Sequence, residues 1–364
     1  MIPFLGIARQ YNNLREEILD ASDAVYSSGQ VLDGYFTQTF EDEIAKRCNR
    51  KYAVAVNSGT QALIFAQQSM CINGKVIIPG ISFVATLNSV VMAGNEPVII
   101  DTDSDFMLDL YKASERLEEG DITALMFVNL YGNVIDYNNL RTARDIFFKK
   151  QDIKIIEDAA QSFGAKYDGT PSGKLGDISI LSFDPTKNLN NYGSGGMLLT
   201  DDPLIYNDIR DLRDNGKYLG FSSTGTNSKM SESDCAQMLV KLKYFDGWQQ
   251  RRREIAEFYT EHISEYVTPV LPKANVDHAW HKYVITTDRE YRSELYTHLK
   301  KSSVETKIHY EHTLADYTAA GLYSYLPLAS RLVDSCLSLP IHPELTDAEV
   351  EHVAESVISF YAGV

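Results

Sequence analysis

The chain of 364 residues contains no apolar run approaching the roughly 18 residues that a membrane span requires. Its opening stretch, "MIPFLGIARQYNNLREE" (1–17), lacks the basic-then-apolar pattern of a secretory leader. Basic charge is scarce. Against 50 Asp and Glu stand 34 Lys and Arg, a formal net charge of -16. A nucleic-acid backbone needs a basic footprint, so a nucleic-acid partner is not expected. A small anion is not excluded, because backbone amides at a helix N-terminus hold a phosphate whatever the overall charge. Cysteine is rare too. Cys48, Cys71, Cys235 and Cys336 lie far apart, and no two have CxxC or zinc-ligand spacing. They read as reduced thiols, with no metal site. No internal repeat or low-complexity tract stands out. The expectation is a soluble, cytoplasmic protein with no membrane contact.

What is present is ordinary for a globular chain: 44% hydrophobic and 23% charged residues. The length suits one large domain plus a smaller one. Short apolar runs recur at "YAVAV" (52–56), "KVIIP" (75–79), "EPVIID" (96–101), "ALMFVNLYG" (124–132), "IKIIED" (153–158) and "DISILSF" (177–183). Segments long enough for helices separate most of them. Strands alternating with helices predict an α/β fold with a mostly parallel sheet, buried on both faces. Ligands of such sheets bind beyond the carboxyl ends of the strands. Polar residues do follow these runs: Asn57 to Thr60, Asp101, Asn129, Glu157 with Asp158, and Ser182.

After about Ser231 the pattern changes. Residues 231–263 read as a long helical stretch with a break near Gly247. "HKYVITT" (281–287) and "VETKIHY" (304–310) read as strands, with a helix over 293–301 between them. Thr346 and Glu349 have capping-box spacing. The expected division is a large domain over 1–235 and a smaller α+β domain over 236–364.

Four stretches could carry chemistry. In "VNSGTQAL" (56–63) a strand ends and a helix begins at about Gln61, so free N–H groups and the helix dipole meet at Gly59 and Thr60. That is a phosphate cradle or an ordinary helix cap. In "IIEDAAQSFGA" (155–165) a carboxylate ends a buried strand; it either pairs with a protonated pyridine nitrogen or serves the nearby backbone. In "SILSFDPTKNLNNYGSGGML" (179–198), Lys187 follows Ser182 by five residues. A desolvated lysine forms a Schiff base with a carbonyl, whereas a solvated loop lysine does nothing. In "PGISFVATLN" (79–88), Phe83 either stacks on a flat ring or belongs to the core. Singly, each is weak. Together they supply the parts that hold pyridoxal 5'-phosphate: phosphate to the cradle, ring to Phe83, ring nitrogen to Asp158, aldehyde to Lys187.

With these motifs in order, the sequence resembles the sugar aminotransferases of the DegT/DnrJ/EryC1/StrS group, which have the type I aspartate aminotransferase fold. The likeness runs through "FEDEIAKRCNRKYAVAVNSGTQAL", "EDAAQSFGA", "SFDPTKNLNNYGSGG", "NSKMSESDCAQ", "HKYVI" and "LSLPIHPELTDAEV", almost the whole chain. The resemblance implies that Lys187 carries the cofactor, Asp158 meets the pyridinium nitrogen and Gln161 the ring hydroxyl. It implies Phe83 as the stacking residue and Gly59, Thr60 and Ser182 as phosphate contacts. Asn227 is similar to an asparagine offered across a dimer interface, which implies a homodimer with shared sites. His309 and Tyr310 are expected to border the substrate. The implied activity is ping-pong transamination of a nucleotide-linked keto-6-deoxy sugar, a dTDP-4-keto-6-deoxyhexose, with L-glutamate as amino donor. Its setting would be amino sugar synthesis for O-antigen, lipopolysaccharide or glycosylated metabolites. A 3-keto isomer or a cyclitol ketone is the alternative acceptor, and a non-catalytic cofactor-binding sensor the alternative of another class. Relatives with histidine in place of the lysine perform dehydration; this chain has Lys187. Two positions depart from the group's pattern: Ser194 within the glycine turn, and Asp184.

Overall fold

The computed structural model describes residues 1–144, 152–221, 223–317 and 324–363. Its centre is a seven-stranded sheet. In spatial order the strands are Tyr52–Val56, Gly196–Thr200, Ile178–Ser182, Lys154–Asp158, Ile122–Val128, Lys75–Pro79 and Glu96–Ile100. Five of them pair in parallel, from Ile178–Ser182 across to Glu96–Ile100. Gly196–Thr200 runs antiparallel to both of its neighbours. Val, Ile, Leu and Ala fill these strands because helices cover both faces, leaving no solvent side for polar alternation. All six apolar runs of the sequence form strands here. Gly196–Thr200 is not among them, since its glycine-rich lead-in reads as a turn.

A second, three-stranded antiparallel sheet is built from Thr268–Pro269, Tyr283–Thr286 and Cys336–Leu339. Helices Phe245–Ile263, Arg289–Lys301 and Asp347–Ala362 share its core, which Ile2 from the N-terminal segment joins. Thr346 and Glu349 do form a capping box, with N–H to side-chain contacts of 3.2 and 3.0 Å. No helix among the described residues is long and apolar enough to cross a membrane.

Two expectations are corrected, and a third is refined by proposal. Residues 304–310 do not form a strand; their backbone pairing is limited to isolated bridges with Ile2 and Ser338. Alternate burial of Val304 and Thr306 imitates a strand pattern without a ladder. The helical stretch breaks at Lys243–Tyr244, not at Gly247, which lies inside helix Phe245–Ile263 with open space around it. Helix Glu232–Leu242 spans the expected division at 235. Its Cys235, Met238 and Leu242 pack with Phe40 and Leu181 of the main sheet's core. We therefore propose that the division follows Leu242.

Candidate active site

The carboxyl ends of the parallel strands open into a cleft of ≈ 440 Å³. Its first wall is the turn from strand Tyr52–Val56 into helix Gly59–Ser69. Ser58 is the N-cap, in an extended conformation, and its hydroxyl accepts from the Gln61 N–H at 3.1 Å. The helix therefore starts at Gly59, two residues before the expected Gln61. One orphan donor is spent on Ser58; the N–H groups at the first helical positions remain for a ligand. Gly59 lies against Ser182: a Cβ added there would sit 2.9 Å from the Ser182 Cβ and 3.2 Å from its Oγ. Only a residue without a side chain lets this helix end and that strand end share one space. Thr60 and Ser182 add hydroxyls to the same wall.

The floor is Asp158, the last residue of its strand, 3% exposed. Its Oδ1 accepts from the Ala160 N–H at 3.1 Å and its Oδ2 from the Thr86 hydroxyl at 3.2 Å. Burial pushes its carboxyl above the usual carboxylate range, opposed by the Ala160 N–H, by Lys187 and by Thr86. Strand alternation sends the adjacent Glu157 to the other side. There it accepts from Asn129, Ser172, Ser179 and the N–H groups of Gly173 and Leu175. Glu157 is thus a structural acid and Asp158 faces the cleft. Asn129 and Asp101 also prove structural. Asn129 serves Glu157 and the Ile135 N–H, while Asp101 accepts from Lys112 and from the Leu328 and Ala329 N–H groups.

Lys187 projects from the loop 183–195, which joins two neighbouring strands. Asp184 Oδ1 accepts from the Thr186 N–H at 2.9 Å and its hydroxyl at 2.6 Å, and the Lys187 N–H returns to the Asp184 carbonyl at 2.9 Å. Through this Asx turn Asp184 acts locally, setting the start of the lysine's turn. Desolvation lowers the Lys187 pKa from the ordinary lysine value, opposed by Asp184 and Asp158. Ser194 lines the cleft, and its carbonyl accepts from the Asn191 side chain at 3.0 Å.

Gln161 is buried between two tyrosines. Its Oε1 accepts from the Tyr131 N–H at 3.1 Å and its Nε2 donates to the Tyr310 hydroxyl at 3.0 Å. Phe83, half exposed, lies 6.3 Å from the Tyr310 ring, centroid to centroid. His309 Nδ1 pairs with the Ser338 hydroxyl at 2.9 Å, and burial pushes its imidazole down to about 3, helped by Lys282 and Lys187. Every residue expected at the site lines this one cleft except Asn227. Asn227 is exposed and bridges only to Asp214. Sequence reasoning missed Thr86, Phe4, His281 and Lys282. The signal for Lys282 was a charged residue leading straight into the apolar "YVI".

A lysine and a buried carboxylate at strand ends, beside a glycine-cradled helix N-terminus, are the donor set for pyridoxal phosphate. The fold and this cleft define a pyridoxal-phosphate-dependent aminotransferase. The chain belongs to the DegT/DnrJ/EryC1/StrS aminotransferase family, whose model matches residues 12–358. It is 32% identical to the dTDP-3-amino-3,6-dideoxy-alpha-D-galactopyranose transaminase of Aneurinibacillus thermoaerophilus, covering 98% of this chain and 99% of that one. It is also 32% identical to the pleiotropic regulatory protein of Geobacillus stearothermophilus, covering 99% and 98%. Among solved structures, S. venezuelae DesV superposes with a TM-score of 0.93 at 32% identity, covering 99% and 98% of the two chains. The Bacillus subtilis protein ntda, solved with bound PMP, gives 0.89 at 26% identity, covering 98% and 84%.

Proposed function

We propose that the chain transfers an amino group from L-glutamate to a dTDP-linked keto-6-deoxyhexose, giving a dTDP-linked amino sugar. The observation that carries this reading is the placement of Lys187 and Asp158 in one desolvated cleft beside the Gly59 cradle. When bound, pyridoxal phosphate supplies an electron sink for the bond broken at the amino donor's α-carbon. This chain's residues do the rest. The free N–H groups of the helix start, with the Thr60 and Ser182 hydroxyls, would hold the phosphate. Lys187 would hold the aldehyde end at rest; as a free amine it would carry a proton away from the donor's α-carbon, and burial favours that uncharged form. Asp158, buried at its strand's end, would meet the ring nitrogen and keep it protonated, and that cation would offset the cost of burying the carboxylate. Gln161, whose Oε1 is held by Tyr131 and whose Nε2 donates to the Tyr310 hydroxyl, would offer its second amide N–H to the ring hydroxyl. Phe83 would cover the ring face, and His309 and Tyr310 would border the sugar.

The resemblance implies a 4-keto acceptor. Two relatives at 32% identity are named as transaminases of dTDP-3-amino sugars, which favours the 3-keto isomer for this chain. We further infer a cytoplasmic homodimer in which Asn227, outside its own cleft, reaches the partner's cofactor. The test is purified holoenzyme with glutamate and a panel of dTDP-, UDP- and GDP-linked 3- and 4-keto sugars, with products read by mass and NMR. A dTDP-3-amino sugar is expected. No product with any sugar would overturn the reading in favour of a cyclitol acceptor or a sensor, a role suggested by the regulatory and sensory names of two relatives.

A further inference from the structure

Lys282, at the entry to strand Tyr283–Thr286, lines the same cleft as Asp158. It is 6% exposed. Among the described residues, no hydrogen-bond acceptor and no carboxylate at ion-pair distance meets its Nζ; its one close partner is the Phe4 ring, 4.9 Å from Nζ to centroid. A buried ammonium is normally paired, because desolvating an unpaired charge costs several kcal/mol. The surroundings add to that cost. Lys187, Arg252 and Lys307 all disfavour the charge, and Asp184 alone opposes them. Every one of these except Arg252 also lines the cleft, as do His281 and His309. Among the described residues nothing supplies a counter-charge at ion-pair distance, and burial with these neighbours lowers the amine's pKa well below the ordinary lysine value; an anion entering the cleft would restore the ammonium.

We propose that Lys282 receives the α-carboxylate of the amino donor, and of the oxo acid that leaves. This rests on the aminotransferase reading above. A donor amino acid's carboxylate is attached to the carbon from which Lys187 removes a proton, so the anion required close to Lys187 is that carboxylate. A sugar nucleotide's diphosphate lies across the sugar ring from the reacting carbonyl and belongs nearer the rim. There Lys307 is exposed and already paired with Glu305 at 2.9 Å. The Phe4 ring lies 4.9 Å from the Lys282 Nζ and 5.6 Å from the His309 ring, contacts that restrict the lysine's position before a ligand arrives.

The test uses the holoenzyme and L-glutamate alone, without sugar, following the conversion of the yellow form to the pyridoxamine form by absorbance. In Lys282→Met the half-saturating glutamate concentration rises roughly 10- to 100-fold, the scale of one lost charge-assisted hydrogen bond. The calorimetric Kd of 2-oxoglutarate for the pyridoxamine-phosphate-loaded protein rises by a similar factor. Lys282→Arg recovers part of both, and the KM for nucleotide sugar stays within a few-fold. Glutamate half-saturation within twofold of wild type overturns the proposal, as does a loss confined to the sugar half-reaction. If the methionine variant does not fold, Lys282→Gln, which keeps a polar tip, is held to the same thresholds. The glutamate half-reaction is readable even if every nucleotide sugar fails, so this proposal and the choice of acceptor fail separately.

Discussion

Gly59 and Ser182 are in backbone-to-side-chain contact at the mouth of the sheet, with room for no atom between the site of a Cβ on residue 59 and the Ser182 side chain. Gly59→Ala must push apart a helix start and a strand end that both face the proposed phosphate position. A stability cost of about 1–3 kcal/mol is expected from overpacking. Cofactor affinity should fall by at least roughly tenfold, since the freed N–H groups lose their shared focus. Fluorescence titration of apoprotein with pyridoxal phosphate checks this; unchanged affinity would remove Gly59 from the cradle.

Lys187→Ala should lose turnover by at least about 10³-fold, because it removes both the covalent attachment point and the proton carrier. It should still bind pyridoxamine phosphate. In the wild type, borohydride should fix the cofactor to residue 187, read by peptide mass. Attachment at any other residue sinks the assignment.

Asn227 is tested by complementation. Lys187→Ala and Asn227→Ala proteins, each nearly inactive, are mixed under conditions that exchange subunits. If sites are shared in a two-fold dimer, random pairing restores about a quarter of wild-type activity, since one site in half of the dimers is intact. A mixture no more active than its parents argues against the cross-dimer contact.

His278 gives a pH prediction. Its Nδ1 accepts from the Trp280 N–H at 2.8 Å, a bond that protonation abolishes, and burial pushes its imidazole down from 6.5 to about 3. Between those values the unfolded chain binds a proton that the folded chain refuses. Stability is therefore whole above 6.5 and declines as the pH falls toward 3. His278→Asn keeps an acceptor but cannot charge. Its melting temperature should fall less than that of wild type between about pH 7 and pH 4.5. Equal falls in both proteins would show that His278 does not set the acid limb.

The large sheet was readable because strands buried on both faces are continuous apolar runs, as "KVIIP" and "YAVAV" show. Gly196–Thr200 was not, because its first residue must be glycine for another reason. A Cβ there would lie 2.4 Å from the Ser58 carbonyl carbon, so a packing demand disguised a strand as a turn. The cleft residues were legible as strand-end polar residues, yet that rule also selected Glu157, Asn129 and Asp101, whose hydrogen bonds are all internal. Nothing in one dimension separates an acid that faces a ligand from its neighbour that faces a loop. Lys282 showed in the sequence only as a charge leading into "YVI", which does not disclose its role. Its significance is the lack of a partner, and partners are assigned only by the folded chain.

The loop that carries Lys187 begins after Ser182 and ends before Gly196, and those two residues are paired in the ladder. Gly196 is in turn paired with Val56, at the foot of the phosphate-facing turn. The lysine is thus delivered only when distant stretches of the chain have zipped together, a slow step because the loop entropy is lost before the contacts form. Cofactor capture during refolding should consequently be among the last events. The appearance of yellow colour would then serve as a clock for completion of the edge ladder, independent of any substrate.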